Sequence, residues 1–439
     1  MIPFFIETYG CQMNVYDSEV VASLLEKAGY APCDGIEDAA VILVNTCSIR
    51  ENAEQRVWGR LEYFRQLKKR RPSLQVAVLG CMASRLKEKL LENTCVDFVV
   101  GPDSYRLLPQ LLGQECPAPV QTQLSRKETY ADILPLRMDK HGVTTFVSIM
   151  RGCNNMCAYC IVPYVRGGER SRDPFSIEQE VRDLFAKGYK EVNLLGQNVD
   201  SYGWESEDGK VKETFSQLLE RVARISPLLR VRFATSHPKD MNDSVLHTMA
   251  AYSNICHHIH LPVQSGSDAQ LAKMKRTYNR ATYLERIAKI REILPDCVIS
   301  TDMISGFCDE SEEDHLQTLS LMREVRFDQA FMFQYSERPN TYAARHYTDN
   351  VPEAEKTRRL NEVIALQTEL SAQSNRADIG KVFEVLVEGP SKRSDLEYFG
   401  RTSTNKVCVF PRKGVEPGMY VKVKVCQCSA ATLLGEIVE

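Results

Sequence analysis

Short apolar runs alternate with amphipathic stretches along the first part of the chain. Runs rich in Val, Ile, Leu and Phe predict strands, and apolar residues that recur every three or four positions predict helices between them. The predicted strands are Pro3–Thr8, Val41–Asn45, Gln75–Leu79 and Asp97–Val100, and the predicted helices are Ser18–Ala28, Ala53–Lys69 and Ser84–Leu91. This alternation predicts an α/β fold with an open parallel sheet over residues 1–119.

The strand–helix alternation continues through residues 143–374. The predicted strands are Thr144–Met150, Glu191–Leu195, Leu229–Ala234, His257–Leu261, Val298–Met303 and Gln329–Gln334. Six strand–helix units predict a partial (β/α)6 barrel, with chemistry at the carboxyl ends of its strands. The segment 120–142, which contains Pro135 and scattered charges, has neither pattern and is interpreted as a linker.

The last block, residues 375–439, has a different pattern. Its short β-rich runs are Lys381–Glu388, Lys406–Phe410, Tyr420–Val425 and Leu433–Val438, separated by turn residues. They predict a small β-barrel, a fold that often binds oligonucleotides. The block holds ten Lys and Arg against eight Asp and Glu, so its charge adds little support for nucleic acid.

Composition is typical of a globular protein. The 439 residues carry a net charge of -3, so an RNA substrate would need a local basic patch. The sequence has no apolar run long enough to cross a bilayer and no signal or transit peptide at Met1. We therefore expect a cytoplasmic protein that has no membrane partner. In that reducing compartment, its 15 cysteines indicate metal or redox chemistry where their spacing fits a motif.

Cys153, Cys157 and Cys160 form a C-x3-C-x2-C motif directly after a predicted strand. Three thiolates in one loop predict three ligands of a [4Fe–4S] cluster whose fourth iron is open. An open iron can bind S-adenosylmethionine (SAM) and cleave it to a 5′-deoxyadenosyl radical, chemistry that side chains cannot perform. The alternative is zinc. Structural zinc prefers C-x2-C pairs and a fourth ligand, and the nearest His upstream, His141, lies beyond the strand.

Cys11, Cys47 and Cys81 each follow one of the first three predicted strands. The carboxyl ends of parallel strands face one crevice, so these three cysteines are expected to converge there. They predict a second [4Fe–4S] cluster with an open iron. The alternative is that each cysteine is a small buried apolar residue.

The residues around both cysteine sets resemble a known family. Arg151–Cys160 with Ile161–Arg172, and the three separate cysteines, resemble the radical SAM methylthiotransferases, and residues 375–439 resemble their TRAM domain, an RNA-binding barrel. Gly10–Asn14 and Asn45–Glu51 resemble the MiaB type, which modifies tRNA. Further matches to that type are Asn193–Asn198, Thr235–Pro238 and His260–Ser267. The resemblance covers essentially the whole chain.

One loop departs from the family pattern. Gly306–Ser311 reads Gly-Phe-Cys-Asp-Glu-Ser where the family usually has Gly-Phe-Pro-Gly-Glu-Thr. Because the loop follows a barrel strand, its geometry near SAM is expected to differ. The six cysteine ligands are intact, so activity is expected to persist.

The resemblance implies a reaction. The substrate is tRNA that carries an isopentenyl group on adenosine 37, next to the anticodon. One SAM methylates a sulfur on the auxiliary cluster at Cys11, Cys47 and Cys81. A second SAM yields the radical that removes hydrogen from carbon 2 of the adenine, which then captures the methylthio group. An electron donor such as flavodoxin or ferredoxin, and an iron–sulfur carrier, are the other expected partners.

Further site residues were assigned to SAM and to RNA. The SAM candidates lie beside a cysteine ligand, at strand ends or within a strand: Tyr159, Gly196, Gln197, Gln264, Ser265 and Asp302. The alternatives are that Tyr159 is a core residue and that Asp302 satisfies a buried partner. The RNA candidates flank the cysteines or mix aromatic and basic side chains in the last block: Gln12, Met13, Asn14, Arg50, Arg166, Arg170, Arg172, Tyr398, Phe399, Arg401 and Phe410. Arginine contacts phosphate, and aromatic rings stack on unpaired bases.

Two other functions remain open from the sequence. The first is the same radical chemistry on another tRNA adenosine, such as the threonylcarbamoyl form, or on a ribosomal protein. The second is a non-catalytic RNA-binding protein that holds iron–sulfur or zinc, which the C-terminal barrel alone would permit.

Overall fold

The computed structural model describes residues 1–48, 51–113, 118–139 and 142–438, with the backbone alone at 51–53. The chain forms two compact units. The N-terminal unit comprises Met1–Lys140, Ser148–Met156 and Ile161–Ile177, and the barrel unit comprises the remaining residues.

A six-stranded parallel sheet is the centre of the N-terminal unit, in the order β2-β1-β3-β4-β5-β6. Its strands are β1 Ile2–Tyr9, β2 Tyr30–Pro32, β3 Val41–Thr46, β4 Gln75–Gly80, β5 Phe98–Val100 and β6 Val120–Gln121. Its helices are α1 Gln12–Lys27, α2 Glu51–Arg70, α3 Cys81–Leu86 and α4 Leu108–Leu112. A short 3-10 helix, Lys87–Glu92, extends α3. The open parallel sheet predicted from the sequence is confirmed.

Apolar side chains of β3 and β4 hold α2 against the sheet. Ile42, Val44, Val76 and Val78 are fully buried against helix residues such as Phe64. Strands buried on both faces read as continuous apolar runs, which explains why they could be predicted. Two edge strands, β2 and β6, were not predicted because they have two or three residues each.

The remaining elements up to residue 376 follow in chain order. The strands are β7 Thr144–Ser148, β8 Met150–Arg151, β9 Arg170–Ser171, β10 Glu191–Leu195, β11 Gly203–Glu205, β12 Lys212–Thr214, β13 Arg230–Ala234, β14 His258–His260, β15 Val298–Ser305 and β16 Gln329–Gln334. The helices are α5 Val162–Arg166, α6 Pro174–Ala186, α7 Phe215–Ala223, α8 Asp243–Ala251, α9 Asp268–Lys273, α10 Arg280–Ile293, α11 Glu312–Val325, α12 Tyr342–His346 and α13 Glu353–Arg376.

The barrel strands lie in sequence order. β7, β10 and β13 form one sheet, and β14, β15 and β16 form another. Backbone hydrogen bonds from Cys256 N to Val231 O (2.9 Å) and from Ser236 N to His260 O (3.1 Å) join the two sheets. This is the partial (β/α)6 barrel that the sequence predicted.

Side-chain caps fix the starts of the four consecutive helices α8 to α11. Each cap accepts a hydrogen bond from the backbone N–H three residues on, and such a cap stabilises a helix by about 1 kcal/mol. The caps are Asn242 for α8, Ser267 for α9, Asn279 for α10 and Ser311 for α11. They place the strand-to-helix loops, which carry the functional residues, at defined positions.

A closed five-stranded barrel ends the chain, in the order β17-β18-β19-β21-β20. Its strands are β17 Val382–Ser391, β18 Ser394–Thr402, β19 Val407–Pro411, β20 Tyr420–Cys428 and β21 Leu433–Val438. The fold class predicted from the sequence is therefore confirmed in all three parts. β18 was missed because its first half is polar and its one aliphatic residue there, Leu396, is 81% exposed.

Arginines of β13 hold this small barrel. Arg230 Nη1 donates to Arg401 O (2.7 Å), and Arg232 Nη1 donates to Ser403 O (2.9 Å). Lys406 Nζ also donates to Asp378 Oδ2 at 2.6 Å. The acceptors on β18 and the turn after it are backbone carbonyls.

Residues 120–139 of the segment interpreted as a linker belong to the N-terminal unit. β6 extends the sheet and Tyr130 is fully buried, so this stretch is packed along part of its length. The bounds 1–119, 120–142, 143–374 and 375–439 remain a prediction. In the part of the chain that the structure describes, no helix is both long and apolar enough to cross a membrane.

Candidate active site

Cys11, Cys47 and Cys81 lie at one edge of the N-terminal sheet. Tyr9, Thr46 and Gly80, the last residues of β1, β3 and β4, are aligned across the three adjacent strands. Each cysteine follows its strand by one or two residues, so all three occupy the carboxyl edge of the sheet. Cys47 and Cys81 are buried and Cys11 is partly buried.

Glycines and one asparagine shape this edge. A Cβ on Gly10 would lie 2.8 Å from Cys47 Cβ, and a Cβ on Gly80, whose φ is +90°, would lie 2.6 Å from Thr46 O. Asn14, fully buried, donates through Nδ2 to Thr46 O (3.2 Å) and accepts from Cys11 N (3.2 Å). These contacts keep the three strand ends close together.

The electrostatic surroundings favour thiolate at Cys11. A hydrogen bond with Cys47 lowers the pKa of Cys11 to about 6, and Arg166 and the backbone N–H groups of Asn14 and Met13 act in the same direction against burial. Burial raises the pKa of Cys81, and the Arg166 guanidinium opposes that rise. Thiolates are the form that binds iron.

Arg166 belongs to a group of five buried charged residues. Arg166 Nε donates to Cys81 Sγ (3.2 Å), and Arg166 Nη2 donates to Asp17 Oδ2 (2.8 Å). Asp17 also accepts from Arg151 Nη1 at 2.7 Å. Asp103 accepts two hydrogen bonds from Arg170. We call Asp17, Asp103, Arg151, Arg166 and Arg170 the Arg166 cluster.

The second cysteine motif is anchored on both sides of its loop. In the N-terminal unit, Cys153 is buried and its N–H donates to Gly167 O at 3.1 Å. In the barrel unit, Arg276 Nη1 donates to Cys157 Sγ at 3.2 Å, and the same guanidinium donates to Pro262 O. Cys160 N donates to Cys157 O at 3.0 Å.

Ala158, between Cys157 and Cys160, is fixed by backbone hydrogen bonds. Ala158 N donates to Met274 O (2.9 Å), and Ala158 O accepts from Ala343 N (2.7 Å). Tyr159, predicted to contact SAM, is partly buried and meets Phe307 edge to face, with 6.4 Å between ring centroids. Burial raises the pKa of Tyr159 well above its usual value, so its hydroxyl stays protonated.

The other SAM candidates lie on a strand of the barrel unit or in the segments that follow its strands. Gly196 and Gln197 directly follow β10, and Gln197 Oε1 is buried without a hydrogen bond from any described residue. Gln264 has φ +72° and exchanges backbone hydrogen bonds with β15. Asp302 Oδ1, on β15, lies 3.3 Å from His260 Nε2. Ser265 differs, because it is fully buried and its hydroxyl lies 3.3 Å from that of Thr318.

A buried acid near the end of β10 was not anticipated from the sequence. Burial raises the pKa of Asp200 to about 7, although the Ser236 hydroxyl and the His237 N–H oppose the rise. Burial also lowers the pKa of His237 to about 3. At neutral pH, His237 is therefore uncharged and Asp200 is close to half protonated.

The loop that departs from the family pattern contains a residue in the left-handed conformation. Asp309, which stands at the usual second glycine, has φ +57°. Its carboxylate pairs with Lys273 and accepts from Asn350 Nδ2, while Asp309 N donates to Asn350 Oδ1 at 2.9 Å. These contacts offset the cost of the left-handed conformation. Cys308 is buried in an apolar cluster with Phe307 and Tyr335.

The cysteines fit an iron–sulfur cluster by their donor chemistry. At the N-terminal edge, two thiols are in contact, a third is bonded to a guanidinium, and Arg166 Nη1 is buried without an acceptor among the described residues. Across the described part of the chain, no three His, Cys, Asp or Glu side chains are grouped as a site for a single metal ion. A cubane is larger than one ion and supplies sulfur acceptors of its own.

Most of the predicted RNA contacts are buried side chains, contrary to expectation. Met13, Asn14, Arg166, Arg170, Arg172, Tyr398 and Phe410 are each at most 7% exposed. Arg170 pairs with Asp103, and Arg172 Nη1 donates to Tyr16 Oη. The aromatic residues Tyr398 and Phe410 belong to the core of the small barrel. Their burial leaves these side chains little exposed surface, and their contact with RNA stays a prediction.

The remaining RNA candidates have mixed positions. Gln12 is exposed at the start of α1, while Phe399 and Arg401 are half-buried on β18, where Arg401 Nε lies 3.2 Å from Glu388 Oε1. Arg50 lies outside the described residues. Exposed cations of the small barrel that the sequence did not single out are Lys392, Arg393, Arg412 and Lys413.

Sequence reasoning also missed Asp17 and Arg276, which are both close to cysteine ligands. Asp17 is a charged residue on α1, a helix in which most positions are buried. A charge among buried positions is the feature that could have identified Asp17 as a candidate. Arg276 follows α9 in a basic stretch that is typical of a solvated surface, so its sequence carries no such signal.

Three family models match the chain in order. Residues 3–101 match "Uncharacterized protein family UPF0004", residues 147–322 match "Radical SAM superfamily", and residues 376–438 match "TRAM domain". A protein of Parabacteroides distasonis called tRNA-2-methylthio-N(6)-dimethylallyladenosine synthase is 58% identical over 99% of this chain and 95% of its own length. Proteins of the same name from Amoebophilus asiaticus and Bacteroides thetaiotaomicron are 55% and 56% identical, over 99% and 98% of this chain and 92% and 95% of theirs.

The chain belongs to the tRNA-2-methylthio-N(6)-dimethylallyladenosine synthase family. It is a radical SAM methylthiotransferase, as the resemblance in its motifs implied. Membership of the radical SAM superfamily implies SAM and a [4Fe–4S] cluster as cofactors.

Solved structures share the fold of this synthase-family chain at low sequence identity. The radical SAM methyltransferase TsrM of Kitasatospora setae, with cobalamin and a [4Fe–4S] cluster bound, has a TM-score of 0.59 and 14% identity, over 78% of this chain and 77% of that one. The cobalamin-dependent radical enzyme OxsB, with aqua-cobalamin and SAM bound, has a TM-score of 0.52 and 11% identity, over 84% and 56%. These likenesses concern the fold alone.

Proposed function

We propose that the chain transfers a methylthio group to carbon 2 of N6-isopentenyladenosine at position 37 of tRNA. It would use two SAM molecules and two [4Fe–4S] clusters. The shared name of the relatives at 55–58% identity supports this substrate over a threonylcarbamoyl-adenosine or a ribosomal protein. The observation that carries the two-cluster reaction is the alignment of Cys11, Cys47 and Cys81 at one sheet edge.

Each cysteine set has a distinct role in this proposal. Cys153, Cys157 and Cys160 would hold the SAM-cleaving cluster, and Cys11, Cys47 and Cys81 would hold the auxiliary cluster that carries sulfur. When bound, the two clusters and SAM supply the radical and the methylthio group. The low pKa of Cys11 supports iron binding at neutral pH, because no proton must first be removed.

Polar strand ends of the barrel would orient SAM. Gln197 Oε1, which is buried without a donor among the described residues, is available to accept from the ammonium group of SAM. Asp302, on β15, and Gln264, in the segment after β14, are further candidates, and Tyr159 supplies an aromatic edge. Ser265 is a weaker candidate because it is fully buried.

RNA binding is assigned to exposed groups. In the small barrel these are the exposed cations Lys392, Arg393, Arg412 and Lys413 and the half-buried Phe399 and Arg401. Gln12, exposed beside Cys11, is the candidate to meet the modified base. Flavodoxin or ferredoxin as electron donor, an iron–sulfur carrier and cytoplasmic location complete the proposal.

Mass spectrometry of nucleosides after anaerobic turnover tests the function. The reaction contains reconstituted protein, SAM, a reductant and isopentenylated tRNA, and the expected product is the 2-methylthio nucleoside. Cys157→Ala should abolish both product and cleavage of SAM to 5′-deoxyadenosine. Cys47→Ala should abolish the product while SAM cleavage continues.

A matched control is Cys426→Ser, which removes an exposed thiol of the small barrel that lies outside both cysteine sets. It should retain both activities. Product formation by Cys47→Ala would contradict the auxiliary cluster. SAM cleavage without product in the unaltered protein would retain the radical chemistry and reject the substrate.

A further inference from the structure

The Arg166 cluster contains more positive than negative charge. Three arginines, Arg151, Arg166 and Arg170, face two aspartates, Asp17 and Asp103. All five side chains are at most 5% exposed, so water screens these charges little. An excess of one buried positive charge is costly unless a negative group lies beside it.

Arg166 is the member of the Arg166 cluster that contacts a cysteine of the N-terminal sheet edge. Its guanidinium has three nitrogens: Nη2 donates to Asp17, Nε donates to Cys81 Sγ, and Nη1 is buried without an acceptor among the described residues. An unpaired N–H in a buried guanidinium indicates an acceptor that the polypeptide itself does not supply. Such an acceptor would be a sulfur of a bound cluster.

The negative charge of an iron–sulfur cluster would balance the excess positive charge of the Arg166 cluster. An oxidised cubane held by three thiolates carries about one net negative charge, and one-electron reduction adds another. A guanidinium hydrogen-bonded to a ligand sulfur stabilises the more negative, reduced state and therefore raises the reduction potential. Hydrogen bonds to the sulfurs are among the factors that set the potentials of iron–sulfur clusters.

We propose that Arg166 is a positioning residue for the auxiliary cluster: Nε orients the Cys81 ligand, Nη1 donates to a cluster sulfur, and the cation raises the reduction potential of that cluster. Asp17 and Arg151 fix the guanidinium in place. The inference rests on the proposed binding of a cluster by Cys11, Cys47 and Cys81. It replaces the expected contact of Arg166 with RNA phosphate, because a side chain that is only 4% exposed has little surface for such a contact.

A single-cluster protein isolates the effect. The full chain with Cys153→Ala, Cys157→Ala and Cys160→Ala should retain about four irons after anaerobic reconstitution. Its reduction potential is then measured by redox titration followed by electron paramagnetic resonance. Three proteins are compared: one that keeps Arg166, one with Arg166→Met and one with Arg166→Lys. Arg137→Met is the matched control, because Arg137 is another buried arginine of this unit and its ion-pair partner is Glu19.

Arg166→Met should make reduction of the cluster at least tenfold less favourable, a fall of about 59 mV for one electron. Arg166→Lys keeps the charge but not the planar fork, so reduction should change less than threefold while a chelator removes iron faster. Arg137→Met should change reduction less than threefold. If Arg166→Met does not accumulate as folded protein, the rate at which a chelator removes iron from Arg166→Lys still tests the inference. An unchanged rate would contradict it.

Four results would overturn the inference in different ways. About four irons with a potential that Arg166→Met leaves within threefold would reject the role of Arg166 and leave the two-cluster proposal standing. Equal changes from Arg166→Met and Arg137→Met would show a merely structural effect. A single-cluster protein without iron would reject both the auxiliary cluster and the inference. Weaker tRNA binding with an unchanged potential would restore the phosphate contact.

Discussion

Removal of Arg232 tests how the small barrel is held on β13. Arg232 is 4% exposed, donates to Thr402 O (2.5 Å) and Ser403 O (2.9 Å), and forms an ion pair with Glu191 at 2.9 Å. The substitution Arg232→Met keeps much of the side-chain volume and removes the charge and every donor. It leaves Glu191, itself 4% exposed, as a buried carboxylate without its cation.

Breaking a buried ion pair by removing one partner costs about 3–5 kcal/mol, mostly because of the charge left behind. Two backbone carbonyls also lose charge-assisted donors. We therefore expect Arg232→Met to destabilise the packing of β18 by about 3–5 kcal/mol. Glu191→Leu should cost a similar amount, and the double variant should cost less than the sum by about 2–3 kcal/mol.

Hydrogen exchange measured by mass spectrometry gives the local free energies of opening. Peptides covering β17 and β18 should exchange faster in Arg232→Met, while peptides of β1 and β3 should not change. Arg224→Met is the control, because its ion pair with Glu220 is 67% and 37% exposed and should contribute less than about 1 kcal/mol. A coupling below about 0.5 kcal/mol between Arg232 and Glu191, or unchanged exchange in β18, would refute the reasoning.

Three further predictions concern single residues. Because the pKa of Asp200 is about 7 when folded, against 3.8 when exposed, its ionisation lowers the free energy of unfolding as pH rises from about 4 to about 7. Asp200→Asn should remove this fall in the free energy of unfolding, which amounts to about 4 kcal/mol at pH above 7. Chemical denaturation at pH 4, 6 and 8 measures the free energy of unfolding of both proteins. Gly80→Ala places a Cβ 2.6 Å from Thr46 O at φ +90° and should cost about 2 kcal/mol or more, with loss of iron from the N-terminal unit in iron assays. Asp309→Gly relieves a left-handed conformation but loses the Lys273 ion pair, so the melting temperature should change by no more than about 4 °C.

The sequence predicts the parts of the site that depend on local pattern. β1, β3 and β4 are apolar runs that end just before a cysteine, so both the sheet and the convergence of Cys11, Cys47 and Cys81 follow from simple rules for parallel strands. The barrel strands β10 and β16 begin and end at the predicted residues.

The parts that the sequence does not predict depend on distant partners. Arg166 and Arg170 stand in a run of charges typical of an exposed loop, and their burial requires Asp17 and Asp103, which lie far away in the chain. Tyr398 is predicted to contact RNA because aromatic and basic residues are mixed there, but every second side chain of a barrel strand points into the barrel.

The carbonyl groups of residues 401–403 are the acceptors that Arg230 and Arg232 use. A main-chain oxygen is present whatever amino acid occupies the position, so evolution can vary the side chains of that turn without undoing the attachment. The two arginines therefore recognise the backbone conformation of residues 401–403 and not their side chains. Exchange of the small barrel with that of a relative should therefore preserve this attachment, and the exposed surface of the small barrel can diversify independently of the (β/α)6 barrel.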